Sequence, residues 1–310
     1  MTNLSHRIIT EHQVRKTRKQ KEAFRAFLCR ELEALGYASK VEEANFSRNV
    51  VVGNPSSAKV IYTAHYDTPP VIPVPNFITP RNFLWYLLYQ LLLVIPMFVL
   101  AFGAEVALLL LWEDCPMWLA LGTVYLVLGF MLWWMMSGPA NKHTMNDNTS
   151  GVVTLVEIAQ ALPAELRDGV CFIFFDNEEK GLLGSSGFAA KHKVTKNTAL
   201  VLNFDCVSDG ESIQFFPGKL VKGEADTVAL MEQSFLPTAD KTVEVVTSFG
   251  LYPSDQSQFK RGVGVCALKH SRIFGWYMDR IHTGRDTVMM EENIRLLADG
   301  AVRMAQALVQ

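Results

Sequence analysis

The chain has 310 residues, of which 49% are hydrophobic and 19% are charged, and its formal net charge is −2. This near-neutral charge gives no general attraction to nucleic acid, so nucleic acid is not an expected partner. The five cysteines show no CxxC spacing, and the N-terminus lacks the apolar core of a signal peptide. Both features argue against an exported protein built on disulfides.

The first predicted element is a helix over Ser5–Leu35, a stretch without Gly or Pro. Its apolar residues recur at helical spacing and predict one buried face. The basic run Arg15–Lys21 lies within it. This run is either a solvated helix face or a contact with anionic lipid headgroups.

An apolar run, Val60–Asp67, predicts a strand that ends in His65 and Asp67. Thr68–Pro80 follows it and contains five prolines. Such a segment cannot form regular structure, and we interpret it as a stiff connector.

Two long uncharged segments come next, Phe83–Ala104 with 22 residues and Pro116–Met136 with 21. Each is long enough to span a hydrocarbon core of about 30 Å. Five of the six tryptophans lie in this part of the chain, as is typical of membrane interfaces. The pattern predicts a transmembrane helical hairpin over 81–139, and the alternative is a soluble helical lid or dimerisation arm.

The hairpin also predicts where the rest of the chain lies. Arg81 and Lys142 flank the two segments, and neither Lys nor Arg lies between Asn82 and Asn141. By the positive-inside rule both ends face the cytoplasm, which predicts a multi-pass protein of the plasma (inner) membrane. Membrane lipid is then an expected partner, and homo-oligomers could form through the hairpin.

Strands and helices alternate in the second half of the chain. Gly151–Leu162 is an amphipathic helix, whereas Val170–Phe175 and Leu200–Asp205 are strand-like runs. This alternation predicts an α/β fold with a mainly parallel central sheet and helices on both faces.

Acidic and histidine residues follow several of these strands. The residues are His65, Asp67, Asp147, Glu178, Glu179, Asp205 and His282. The carboxyl ends of parallel strands meet at one edge of a sheet, where ligands bind. Carboxylates packed there repel each other, and a metal cation removes that cost. For the acidic turn at 176–179 taken alone, a solvated surface turn is the alternative.

Five motifs make the pattern specific. They are HYD at 65–67, DN-x-SG at 147–151, FFD-x-EE-x-GL-x-GS at 174–185, NFD at 203–205 and HTGRDT at 282–287. Together they resemble the di-zinc aminopeptidase family, whose relatives include bacterial leucyl aminopeptidases, glutamate carboxypeptidase and glutaminyl cyclase. The resemblance covers Lys59–Asp67 and Thr144 to the C-terminus. It implies a zinc-exopeptidase-like catalytic domain formed by 1–80 and 140–310, with the hairpin inserted.

The resemblance implies a site for two zinc ions. In it Asp147 bridges the ions, Glu179 and His282 complete one site, and His65 and Asp205 complete the other. It also implies a cis peptide bond after Asp147.

Three further residues receive catalytic roles. Glu178 is the expected general base that acts on metal-activated water, and Asp67 is expected to orient His65. Tyr252 is a candidate for oxyanion stabilisation or, equally, a packed loop aromatic. Gln256 stands where the family has histidine, which affects the expected substrate preference.

The resemblance implies a zinc-dependent hydrolase of peptide or related amide bonds, most readily an aminopeptidase. Peptides and N-acyl amino acids are the expected substrates. Two alternatives remain open, namely a glutaminyl cyclase-like acyltransferase and a non-catalytic binding module of the same fold. Retention of all five ligands and of Glu178 disfavours the binding module.

Overall fold

A computed structural model describes residues 1–72 and 74–309 of the chain. The described residues form nine strands, namely β1 (Ser39–Ala44), β2 (Ser47–Val52), β3 (Val60–His65), β4 (Val170–Phe175), β5 (Leu200–Phe204), β6 (Ser212–Pro217), β7 (Thr242–Val245), β8 (Arg261–Ser271) and β9 (Gly275–Tyr277). They also form ten α-helices, namely α1 (Asn3–Glu11), α2 (Arg18–Ala34), α3 (Phe83–Leu111), α4 (Met117–Ser137), α5 (Gly151–Ala161), α6 (Leu183–Lys191), α7 (Lys193–Thr198), α8 (Lys219–Lys222), α9 (Ala225–Ser234) and α10 (Glu291–Val309).

The strands form one sheet in the order β1-β2-β4-β3-β5-β8-β6-β7, and β9 pairs with β8. The four central strands β4, β3, β5 and β8 are all parallel. The outer pairs β1–β2, β2–β4 and β6–β8 are antiparallel, whereas β6 and β7 run parallel. The predicted α/β fold is confirmed, with its parallel strands at the centre of a mixed sheet.

The central strands are buried on both faces. Every residue of β3, β4 and β5 is buried, which explains their continuous apolar sequences. Alternate side chains point to opposite faces. Tyr62 and Phe172 join the core shared with α2, α5 and α10, whereas Ile61 and Cys171 pack with Phe188 of α6.

The predicted single helix over Ser5–Leu35 is wrong, because the chain breaks between α1 and α2. Thr17 starts α2 with a capping box, in which its Oγ1 accepts from Gln20 N at 3.3 Å and Gln20 Oε1 accepts from Thr17 N at 2.9 Å. The break lets Arg15 turn into the interior, where it is 0% exposed. Lys21 is also buried, so neither end of the basic run is a solvated or lipid-facing residue.

Helices α3 and α4 pack against each other and are long and apolar enough to cross a membrane. Their 29 and 21 residues correspond to about 43 and 32 Å of helix. Their apolar windows are only 6% and 11% buried, so neither is a core helix of the sheet domain.

The two connectors to this hairpin run side by side. Pro70 and Ala140 form an antiparallel bridge. Val71 N donates to Pro139 O at 2.8 Å, and Asn141 N donates to Pro69 O at 2.9 Å. The described part of Thr68–Pro80 is irregular, as predicted, and Pro73 lies outside the described residues.

Candidate metal centre

The fold collects the predicted site residues at the carboxyl edge of the parallel strands. His65 ends β3, Asp205 directly follows β5, and Glu178 and Glu179 occupy the turn after β4. Asp147 lies in the turn that leads into α5, and His282 lies in the loop between β9 and α10. The peptide bond between Asp147 and Asn148 is cis, as the resemblance implied.

Two groups of donor atoms share one carboxylate. His65 Nε2 lies 3.3 Å from Asp147 Oδ1 and 3.6 Å from Asp205 Oδ1. His282 Nε2 lies 2.9 Å from Asp147 Oδ2 and 3.5 Å from Glu179 Oε2. In each group the donor atoms lie within 4.8 Å of one another. Each oxygen of Asp147 therefore faces a different histidine and a different second carboxylate.

The donor set fits zinc. Imidazole nitrogens and carboxylate oxygens are common zinc ligands. Asp147 Oδ1 and Glu179 Oε1 are buried and find no hydrogen-bond partner among the described residues. Buried acceptors without partners are costly, and a cation bound in each donor group removes that cost.

The electrostatics of the site point to the same requirement. Burial raises the pKa of Glu178 well above its usual value. The charge of His65 opposes this shift, whereas the charge of Glu179 adds to it. Burial, reinforced by the charge of Asp147, also raises the pKa of Glu179. Burial opposes ionisation of Asp147 too, but the charge and hydrogen bond of His282 hold the pKa of Asp147 below its usual value. A divalent cation would stabilise all three carboxylates as anions.

Asp67 has a role that the sequence did not indicate. Its Oδ1 lies 3.5 Å from His65 Nδ1, which has no hydrogen-bond partner among the described residues, and the orientation of His65 by Asp67 stays a prediction. The two oxygens of Asp67 also accept the backbone N–H groups of Glu178 and Glu179, at 3.0 and 3.2 Å. Asp67 therefore positions the turn that carries both glutamates.

Asp286 plays a similar part at the shared carboxylate. Its two oxygens accept the backbone N–H groups of Asn146 and Asp147, at 2.7 and 3.0 Å. Burial and the charge of Asp147 raise the pKa of Asp286 to about 7. Asp286 belongs to the HTGRDT motif, so a signal for it was present in the sequence.

Arg15 is the buried cation behind the site. Its Nη2 donates to Thr149 Oγ1 at 3.2 Å, and its backbone N donates to Thr68 Oγ1 at 2.8 Å. Burial lowers the pKa of Arg15 to about 10, although the charges of Asp67 and Asp147 oppose this shift. Its position inside a basic run concealed this role in the sequence.

Ser254 links the metal groups to Glu178, because its hydroxyl lies 2.6 Å from Asp205 Oδ2 and 3.4 Å from Glu178 Oε1. The hydroxyl of Tyr252 donates to the carbonyl of Asp205 at 3.0 Å. An oxyanion role for Tyr252 stays a prediction, and it requires the hydroxyl to leave that carbonyl. Gln256 Oε1 accepts from Asn203 Nδ2 at 3.1 Å, so this residue extends the same network.

A nine-stranded mixed sheet that carries such a site at its carboxyl edge defines a zinc-exopeptidase-like protein. Residues 132–304 match Peptidase family M28, and the chain belongs to this family. The chain is therefore a zinc metallopeptidase, as the motifs predicted.

Solved structures support the same fold. The glutaminyl cyclase of Porphyromonas gingivalis superposes with a TM-score of 0.59 at 16% identity, over 98% of this chain and 95% of that one. A zinc-dependent exopeptidase from Parabacteroides distasonis gives 0.56 at 15% identity, over 99% and 94%. The LapA aminopeptidase of Legionella pneumophila gives 0.56 at 15% identity, over 99% and 68%. No curated protein sequence gives a significant match.

Proposed function

We propose that this protein is a membrane-anchored aminopeptidase that holds two zinc ions and hydrolyses peptides or related amides. The observation that carries the proposal is the pair of donor groups that share Asp147, with Glu178 beside them. Asp147 would bridge the ions. Glu179 and His282 would complete one site, and His65 and Asp205 the other.

Zinc in this site would supply a Lewis acid that polarises the substrate carbonyl and lowers the pKa of water. Glu178 would take a proton from the attacking water on its carboxylate and deliver it to the amine nitrogen as the C–N bond breaks. The hydroxyl of Ser254, which lies 2.6 Å from Asp205 Oδ2 and 3.4 Å from Glu178 Oε1, links the base to the ligand set. The hydrogen bonds from Glu178 N and Glu179 N to Asp67 fix the turn that carries the base.

A largely apolar cavity next to the site fits an apolar side chain of a substrate. It has a volume of about 830 Å³ and shares Tyr252 and Gln256 with the network around Asp205. Phe216 and Leu251 are among its apolar lining residues. We propose that it receives the apolar side chain of an N-terminal residue.

Product analysis tests the reaction. The zinc-loaded protein should release free leucine from leucyl peptides, lose this activity with a chelator, and regain it with zinc. Hydrolysis of N-acyl amino acids alone would identify a different amidase. Conversion of an N-terminal glutamine peptide to its cyclised product would favour the glutaminyl cyclase alternative. The glutaminyl cyclase of Porphyromonas gingivalis has a similar fold, so this assay is needed. Full zinc loading without turnover of any of these substrates would favour the non-catalytic binding module.

We also propose that the chain divides into a membrane hairpin over 81–139 and a cytoplasmic catalytic domain of 1–80 and 140–310. The paired connectors support this division, because both ends of the hairpin lie on the same side. The connectors also hold the loop that carries His282, since Ile72 N donates to His282 O at 2.8 Å and Asn141 Nδ2 donates to Thr283 O at 2.9 Å.

On this proposal the mouth of the site lies close to the membrane surface. The substrates are then amphiphilic or delivered by the membrane, or the hairpin limits them to short peptides. Membrane lipid and a second copy of the hairpin remain predicted partners of the exposed apolar surface.

Cysteine labelling tests the topology. Cys115 lies in the turn between α3 and α4, and Lys19 is exposed on α2. A membrane-impermeant maleimide should label the protein in intact cells but not its Cys115→Ser variant. Lys19→Cys, introduced into that variant, should be labelled only after lysis. Labelling of Cys115 only after lysis, or of Lys19→Cys before lysis, would refute the proposed orientation.

A further inference from the structure

A second cleft, outside the metal centre, is strongly basic. It has a volume of about 590 Å³ and opens between α2, the turn joining β1 to β2, and the turn after β4. Six cationic side chains line it against two carboxylates, Glu43 and Asp176. The cationic residues are Lys16, Arg18, Lys21, Arg25, Arg48 and Lys180. We call this site the basic cleft.

Internal contacts neutralise only part of this charge. Lys21 Nζ lies 2.6 Å from Asp176 Oδ1, and Arg48 Nε lies 2.7 Å from Glu43 Oε1. These two pairs account for both carboxylates of the cleft. Arg18 and Lys180 are exposed, and within the described part of the chain neither forms an ion pair. The cleft therefore presents excess positive charge to a ligand from solution or from a surface.

The basic cleft lies beside the cytoplasmic end of the proposed membrane hairpin. Lys16 Nζ donates to Met136 O, at 3.4 Å, in the last turn of α4. The same helix contacts the turn Glu178–Lys180, which carries Lys180 into the cleft. Phosphate groups of a bilayer lie at this boundary between apolar helix and polar domain.

Phe46 adds an apolar element at the rim of the cleft. It is 103% exposed at the tip of the turn between β1 and β2, and it lines the cleft. Asn45 and Phe46 have φ values of 45° and 58°, as in a tight hairpin turn that favours Asn-Gly. A bulky residue is unfavourable in this backbone conformation, and its ring contacts no core. Exposed aromatic and basic groups side by side match an interfacial lipid contact.

We propose that the basic cleft binds the phosphate group of an anionic phospholipid, with Phe46 inserted between neighbouring lipids. Arg18 and Lys180 would contact the headgroup, and Lys16 would place it against the end of α4. The proposal rests on the membrane placement proposed above and is independent of the hydrolytic chemistry. It assigns to the catalytic domain a second attachment to the bilayer, in addition to the hairpin.

Native mass spectrometry of the full-length protein in detergent tests the proposal with added phosphatidylglycerol or phosphatidylcholine. Wild type should retain phosphatidylglycerol in preference to phosphatidylcholine. Arg18→Ala should weaken this retention about fivefold, the effect of one cationic side chain at an anionic surface. Lys19→Ala is the matched control, because Lys19 is exposed on the same helix but does not line the cleft. It should change retention less than twofold.

Further variants distinguish a lipid headgroup from free phosphate, and distinguish lipid binding from the proposed hydrolysis. Phe46→Ser should weaken retention of phosphatidylglycerol without changing the binding of inorganic phosphate. Equal losses in Arg18→Ala and Lys19→Ala would overturn the cleft, since general surface charge would then explain the binding. Phosphate binding without preference for phosphatidylglycerol would overturn the lipid assignment. Glu178→Gln should keep full lipid retention, so failure of the proposed hydrolase leaves this result unchanged.

Discussion

Glu178→Gln is expected to keep its zinc and to lower kcat by about 10²–10⁴-fold, the usual contribution of a general base. The amide has almost the same shape as the carboxylate, and its oxygen can still accept the hydrogen bond from Ser254. It cannot take a proton from water at neutral pH. The expected signature is therefore loss of turnover without loss of metal.

The measurement pairs kcat with the zinc content of the purified protein. Glu165→Gln is the matched control, because Glu165 is exposed in the turn before β4 and should leave both values unchanged. A near-normal kcat would exclude Glu178 as the base. Loss of both zinc and activity would instead identify Glu178 as a metal ligand. This outcome is a specific alternative, because Glu178 also lies in a donor group with His65 and Glu179.

On the proposed two-zinc assignment, Asp147→Ala is expected to remove both ions, because each oxygen of this carboxylate faces a different donor group. Activity should fall to the background of the chelated protein. His282→Ala removes a donor from one group only, so it should leave more zinc bound than Asp147→Ala does. Bound zinc also stabilises the folded state by mass action, and Asp147→Ala should therefore lower Tm and abolish the zinc dependence of Tm.

Elemental analysis of zinc per chain checks this prediction. Asp240→Ala is a suitable control, since Asp240 is exposed and far along the chain from the donor groups. Two ions retained in Asp147→Ala would disprove the bridging role. Equal zinc loss in His282→Ala and Asp147→Ala would show that the two groups do not bind metal independently.

Sequence patterns predicted those features of the structure that a single strand or helix contains. The ends of β3, β4 and β5 could be predicted because buried parallel strands are continuous apolar runs, and their carboxyl ends share one edge. The two apolar helices could be predicted because uncharged segments of this length are rare outside membranes. Asp147 and His282 lie in loops, and the resemblance of their motifs identified them.

The sequence by itself therefore determined the α/β class and the two apolar helices, and it supplied the five predicted donor residues and Glu178. The tertiary structure alone decided what Arg15 and Lys21 do, and it showed which backbone N–H groups Asp67 holds. Arg15 and Lys21 belong to a basic run that looks solvated, yet both are buried against groups more than 50 positions away. The spacing of apolar residues along a helix or strand indicates which face of that element is buried. The contacts of Arg15 and Lys21 depend instead on how distant segments pack together.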